Sequence, residues 1–590
     1  MVMMYGGVPI IDNVQNPIIG DSEGIHLVVP RSSTKECIDF ICKDLQTAAD
    51  YLPARWESEN KNFGRITSGA ALALKGRVEL LYASPLFNRA DDVTRWETAY
   101  QTNLAAVKKL EEGNFGLAYE NNSGKNAAGW GKIFSDYIGS EGGGGTVSEA
   151  VLVTLYNNVS PAEHLQLEKW NGWEHSLRPA NAGGGGGMTP TAEMVDLFPM
   201  ADGKKPNDMN GSYDYNQELF FLNRDPRFYR TFAFPGVEWK FDSDDLKSFG
   251  EKGQLPYGIN GYTTGNNYKL WNYCWYDNVD DRNSNSKSGY AADCLGTKNT
   301  GIYLRKRTDD LALNSNPLYI FEKTSGNGFR QSAAPYMEIR FAEVLLNYAE
   351  AACGANHFDE AVNALKRIRK RVGYTDNCGL DPAIFNDRAK LFEAILYERQ
   401  IELAYEGKRF HDVRRWMLFD GGVGQEALKS TWKLTGFNGN TCNYLGVEPL
   451  NGQRRHRIEV YAKNFIAAKS NNVYNEDKTI KETYDELWNK RPTALSLTED
   501  ITCTESADDE ITYADAKVKA LAQFYQEHFK RKNLSTDGND ETILPTFKPY
   551  YYILGFKKNA MQNNVSLEQN IGWGDYWRGG ADGTFDPLAE

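Results

Sequence analysis

Apolar residues recur at helical spacing near both ends of the chain and lose that period in between. After Ser33 or Thr34, either of which can cap a helix, Ile38, Ile41, Leu45 and Ala48 share one face up to a stop at Leu52-Pro53. Thr67 or Ser68 precedes the Ala/Leu-rich run ALALKGRVELLYASP, which Pro85 ends. RWETAYQTNLAAVKKLEEGN then spaces Trp96, Tyr100, Leu104, Val107 and Leu110 about a turn apart, with Gly113 as its C-terminal stop. The helical pattern returns at Tyr336, where Ala342, Leu345, Leu346, Ala349 and Ala352 share a face. A break at CGANH follows, then FDEAVNALKRIRKRVG with Ala361, Leu365, Ile368 and Val372, and a third helix over about 387–406. A helix pair with small residues where the helices approach resembles a tetratricopeptide unit, and residues 69–112 read as a second one.

Between these ends the chain changes character. Glycine runs at 142–145 and 183–187, abundant Asn and Asp, and short β-prone pieces such as AVLVTLY and GIYLRK predict an irregular insert. The fold class is therefore mainly α, a tetratricopeptide-like helix-pair scaffold with a long irregular insert of short β-strands. The expected divisions are 1–113, helical; 114–335, the loop-rich insert and candidate ligand surface; and 336–590, helical again. Loops borne on such a scaffold are a common recognition device.

Composition narrows the chemistry. A net charge of −13 argues against nucleic acid as a partner, and the short run Arg454, Arg455, His456, Arg457 does not change that. The eight cysteines form no CxxC pair and the seven histidines no metal spacing, so buried free thiols are expected and no cofactor. The Asp/Asn-rich stretch DDRNSNSKSG at 280–289 lacks an ordered calcium-ligand pattern and reads as a solvated loop. No stretch approaches the roughly 18 apolar residues that a membrane span requires. No phosphate-binding glycine loop and no HExxH is present.

Several segments together resemble one family. YGGVPII at 5–11 resembles the YG-x-VP element of the SusD/RagB proteins and is followed by an Arg-Ser-led helix ending in Leu-Pro. EIRFAEVLLNYAEAA, NALKRIRKRVG and ILYERQIELAYEGKRFHDVRRW resemble the family's successive C-terminal helices, and the segment ending in QNIGW at 569–573 its closing motif. The resemblance implies a non-catalytic nutrient receptor of the Bacteroidetes outer-membrane surface. Its ligand would be an oligosaccharide, less often a peptide, and its partner a SusC-like TonB-dependent barrel that it caps. It also implies a secretion signal, a lipid-bearing cysteine and further helices ahead of YG-x-VP. This sequence lacks them, which reads as a late start, a fragment or a degenerate copy, and membrane contact would come only through that missing lipid anchor.

Two questions remain for the residues themselves. Glu398, Glu402 and Glu406 fall at i, i+4 spacing, with Arg399 beside them and Arg409, Asp412, Arg414 and Arg415 just beyond. A hydrolase would need two of these acids across an open cleft, whereas crowding arginines would hold them ionised, so structural ion pairs are expected. For sugar stacking, KWNGWEHSLR offers Trp170, Asn171, Trp173 and Arg178, and WNYCWYDN offers Trp271, Tyr273, Trp275 and Tyr276. In an extended strand the last cluster's rings share a face, which serves a ligand or a core equally well. Trp130 and Tyr257 are weaker candidates, and Trp573 is expected in the core. An intracellular tetratricopeptide adaptor is the remaining rival, needing neither export nor exposed tryptophans.

Overall fold

The computed structural model describes residues 1–14, 29–123, 127–135, 147–159, 167–179, 184–185, 187–239, 268–273, 301–308, 328–420, 455–463, 473–474, 480–482, 487, 490–496, 503–504, 512–513, 516–535 and 546–589. Three long helices open the scaffold: α1 (Thr34–Tyr51), α2 (Ser68–Ala83) and α3 (Val93–Glu112). Their starts follow from side-chain caps that satisfy otherwise unpaired helix N–H groups. Ser33 and Glu36 make a reciprocal capping box on α1, Thr67 caps α2 and Asp92 caps α3. α1 packs on α2, and α2 on α3.

The short helix α4 (Trp173–Leu177) lies in the middle of the chain, and the scaffold continues further on with α5 (Phe341–Gly354), α6 (Phe358–Arg371), α7 (Arg388–Glu402) and α8 (Arg409–Arg415). α6 carries Asp359 and Glu360 in its first turn and Arg369, Lys370 and Arg371 in its last, each sign opposing the helix dipole. α5 sits centrally against α2, α3, α6 and α7. The resulting core gathers Trp96, Phe392 and Trp416 with Leu345, Leu346 and Ala349, all buried. Gly354 allows the closest approach: a Cβ there would lie 2.2 Å from the Trp96 ring.

Two boundaries differ from the sequence reading. Tyr336–Arg340 is a strand, β6, and the helix starts only at Phe341. Its partner is β1 (Ala150–Thr154), antiparallel, so tertiary pairing overrides helical spacing over these five residues. The expected helix over about 387–406 ends at Glu402, and turns follow in which Tyr405 and Gly407 adopt left-handed backbone angles of 59° and 76°. Gly407 suits that angle, and a Cβ on it would press to 3.2 Å from the Tyr336 hydroxyl.

The middle of the chain is less of a pure loop region than its composition suggests. Short strands β2 (Phe232–Ala233) and β5 (Tyr303–Leu304) pair, as do β3 (Val237–Trp239) and β4 (Tyr268–Leu270). They surround a second core rich in rings, including Phe198, Phe220, Phe221, Phe228, Phe234 and Trp239. Residues far down the chain complete it: β7 (His456–Ala462), paired with Phe529–Ser535, and helix α9 (Ala516–His528) bring Tyr461, Phe524, Tyr525 and Phe529. Much of the chain's aromatic content is spent here, as buried area. Cys37, Cys42, Cys353 and Cys378 are free thiols.

Candidate functional site

The three signature glutamates lie in the most densely charged part of the interior. Five carboxylates (Glu149, Asp225, Glu398, Glu402 and Glu406) meet five cations (Arg227, Lys306, Arg340, Arg369 and Arg371), nearly all out of contact with solvent. Arg340 donates to Glu149, Glu402 and Glu406, each at 2.7 Å. Arg227 reaches Asp225 and Glu402 at 2.8 Å and also holds Glu398, which Arg369 holds at 2.9 Å from the other side. The indole of Trp130 donates to Glu402 at 3.0 Å, so this ring is a buried structural element and no ligand platform. The neighbouring arginines of the signature, Arg399 and Arg415, serve a second buried knot with Glu350 and Asp412.

This arrangement fits ion pairing and not acid catalysis. Burial alone would raise the Glu402 pKa, but Arg371, Arg340, Arg227 and Lys306 together hold it well below the usual range. Burial likewise opposes ionisation of Glu406, yet Arg340 and Lys306 bring it down to about 2 from an ordinary 4.5. Neither acid can lend a proton near neutrality, and no sugar can enter between them. A pH dependence follows from the sign of these shifts. With folded-state values depressed, the unfolded chain binds more protons than the native one between about pH 4.5 and 2. Stability is therefore expected in full above pH 4.5 and to fall steadily towards pH 2. Urea midpoints measured across that window check it, and a flat profile would contradict the ionised network.

The stacking candidates separate cleanly. Trp271 is 3% exposed and Tyr273 0%, both inside the ring-rich core against Phe524 and Phe529. The chain makes a tight turn there, Tyr273 N donating to Trp271 O at 2.9 Å, so the extended ligand face read from the alternation does not form at these two residues. Trp275, Tyr276 and Tyr257, like 280–289, lie outside the described residues. Arg178 is also buried (0% exposed), paired with Glu174 at 2.7 Å and set over the rings of Phe329 and Trp239. Desolvated and paired, it fixes α4 to the core and is not available to a ligand. Trp573 is half-buried, its Nε1–H shared between the carbonyls of Tyr550 and Ile553.

Trp170, Asn171 and Trp173 do come together at a surface, joined by residues that the sequence did not single out. Trp170 and Trp173 are half-buried, their indole N–H groups fixed to Val159 O and Lys306 O at 2.9 and 3.0 Å. Asn171 is a fastener: its side chain accepts from Trp173 N and donates to Ala334 O, while its own N–H donates to Ser332 O. Asn157 holds the adjoining segment by bonds with Lys169 and Leu167, and Gln331 donates to Asn158 O. Arg307 projects from an otherwise buried stretch, its guanidinium 4.0 Å from the Trp173 ring centre and 5.2 Å from that of Tyr336. Four segments (156–159, 167–175, 306–307 and 330–336) thus present Tyr156, Trp170, Trp173, Tyr336 and Arg307 as one half-exposed surface. Arg307 covers a face of Trp173, which leaves Trp170 as the better open platform.

A small open cleft at Arg55, Trp56, Phe63, Arg65 and Phe115 is a poorer site. Arg65 lies over Trp56 at 3.7 Å and donates to Asn62, while Arg55 donates to Gly113 O and Asn114 O and holds the turn after α3, so both arginines are engaged. Among the described residues no group of three or more His, Cys, Asp or Glu side chains could hold a metal ion, and no helix is long and apolar enough to cross a membrane.

The molecule is thus a helical scaffold, locked by buried ion pairs, that carries an aromatic and guanidinium-bearing surface on its loops. Its sequence matches the model of the SusD family over residues 131–573, and the chain belongs to that family, whose members are non-catalytic binding proteins. SusD-like protein P2 of Formosa agariphila is 34% identical over 131 residues, 20% of this chain and 25% of P2, so the chain spans about a quarter of that relative's length. In fold it is similar to a SusD-like protein of Bacteroides fragilis, with a TM-score of 0.55 and 21% identity over 97% of this chain and 76% of that one. The solved protein BT4246 gives a TM-score of 0.56 and 18% identity over 96% and 80% of the two chains.

Proposed function

We propose that the chain captures a nutrient oligosaccharide at the surface built by Trp170, Trp173, Arg307 and Tyr336. It then passes the sugar to a SusC-like TonB-dependent barrel on the outer face of the outer membrane. The observation that carries this reading is the convergence of half-exposed rings and a stacked guanidinium on hydrogen-bonded loops. A pyranose offers an apolar C–H face ringed by hydroxyls, and such a surface answers both features. The buried, arginine-bound state of Glu398 and Glu402 supports binding without bond cleavage. Delivery to the barrel rests on the family relationship.

Electrophoresis of the protein through gels cast with single soluble polysaccharides tests the reading. Retardation by at least one polysaccharide, with no release of new reducing ends, is expected. Trp170→Ala should weaken that binding about tenfold or more, the scale of a lost ring contact, and leave the melting temperature nearly unchanged. Steady release of reducing ends, abolished by loss of one carboxylate, would make the chain an enzyme instead.

A further inference from the structure

We infer that Lys306 is the positioning residue of this surface, its charged, three-donor ammonium joining Trp173, Arg307 and Tyr336 to the buried ion pairs; the inference rests on the oligosaccharide reading above. Each of the three side chains is fastened to Lys306 itself or to one short turn. The Trp173 indole donates to Lys306 O at 3.0 Å. Arg307, the next residue, donates from Nη2 to Tyr405 O at 3.2 Å, and the Tyr336 hydroxyl donates to Glu406 O at 2.7 Å. Tyr405 and Glu406 belong to the turn after α7, whose path takes left-handed backbone at Tyr405 and Gly407. Lys306 Nζ holds that same turn, donating to Glu402 O at 3.1 Å, Ala404 O at 2.9 Å and Glu406 Oε1 at 2.7 Å. Arg340 adds bonds to Glu402 O and to the Glu406 carboxylate, which carries the hold into the ion-pair network.

The protonation state of the amine decides how firm this hold is. An ammonium has three N–H donors and Lys306 faces three oxygens, so the two match. A neutral amine has two N–H groups and a lone pair, and one of those oxygens would lose its donor and face the lone pair. The charged groups that face Lys306 are Glu402 and Glu406, from the end of α7 and its turn, and Arg340, from β6. Glu149, Arg227 and Arg371 stand behind them, bound to Arg340 or Glu402. On its own segment Arg305 and Arg307 donate away, to Tyr229 O and Tyr405 O, and on α4 Glu174 is paired with Arg178. The helix Ala128–Ser135 sets the rings of Trp130 and Phe134 at 4.6 and 5.0 Å from the ammonium, while its Lys132 lies over Tyr119. Burial pulls Lys306 down and Glu406 pushes it back up, to about 8 from an ordinary 10.5. Burial raises the Tyr336 hydroxyl above its ordinary 10, so it keeps its proton where Lys306 loses one.

The test is calorimetric titration of the whole chain with soluble starch, laminarin, galactan, arabinoxylan, polygalacturonate and carrageenan, whose own charges do not change between pH 7 and pH 9. Binding of whichever polysaccharide responds is expected to be about tenfold weaker at pH 9 than at pH 7, as the three-donor fraction of Lys306 falls to about one-tenth. A general loosening of the fold would lower the urea midpoint over the same interval, and Lys306 acts in the opposite sense. Its folded value lies below 10.5, so the unfolded chain holds the proton more tightly and this group adds stability as the pH rises from about 8 to 10.5. Lys306→Met should bind weakly already at pH 7 and show no further loss at pH 9. Tyr336→Phe keeps the ring and removes the bond to Glu406 O; it should weaken binding about fivefold, with melting nearly unchanged and the pH dependence retained. Should Lys306→Met fail to fold, the wild-type profile and Tyr336→Phe decide the matter. Wild-type binding that is flat from pH 7 to pH 9, or the same decline persisting in Lys306→Met, would overturn the role of Lys306 and leave the oligosaccharide reading standing. Binding of none of the six at any pH would overturn both.

Discussion

Glu402→Gln is expected to be among the most damaging single changes this protein can suffer, lowering stability by about 3–5 kcal/mol. Glu402 sits in contact with Arg227, Arg340 and Arg371 and accepts the Trp130 indole. The substitution keeps the shape but removes one negative charge from a set of five carboxylates and five cations, leaving a buried positive charge unmatched. The network also ties together elements far apart in sequence, since Arg227 precedes α7, β6 carries Arg340 and α6 carries Arg369 and Arg371. A large fall in the urea midpoint is the expected measurement. Asp39→Asn, which breaks an exposed pair with Lys35 on α1, should leave that midpoint where it was. Equal effects of the two changes would mean that the buried network is not what holds the scaffold.

The second large effect is expected at Trp96. Trp96→Ala should cost about 3–5 kcal/mol, through lost burial and the cavity left behind. Its ring is fully buried, 5.3 Å from that of Phe392 and 6.1 Å from that of Trp416, and lies hard against Gly354. Its Nε1 donates at 2.9 Å to Asp91, which Arg388 also holds. Trp96→Phe should recover part of the loss by filling much of the space while leaving that bond unmade. Calorimetric melting of both variants distinguishes them, and near-wild-type melting of Trp96→Ala would show that α3 is not anchored as described.

The scaffold was legible in the sequence because helices advertise themselves locally. The caps at Ser33 and Thr67 and the apolar spacing of α1, α3 and α6 lie within single elements. Partners that fold into contact leave no such local mark. The structural role of Glu398 and Glu402 could be read from nearby arginines, but their actual counterions are mostly other ones; Arg227 lies 171 residues before Glu398. Alternating rings at Trp271 and Tyr273 carry the same pattern whether they face a core or a ligand, and burial against α9 decided for the core. Arg307 escaped because its left-handed backbone and its place beside Trp173 and Tyr336 are properties of the folded chain. The run Arg305, Lys306, Arg307 at the end of a β-prone piece was the available hint.

Amide hydrogen exchange, with and without a polysaccharide that retards the protein, tests the central claim most directly. Binding at the proposed surface is expected to slow exchange in 167–175, 306–308 and 330–336, and to leave the buried α5–α7 core unchanged. Protection confined to another part of the chain, such as the half-exposed rings around Tyr550 and Trp573, would contradict it and move the site there.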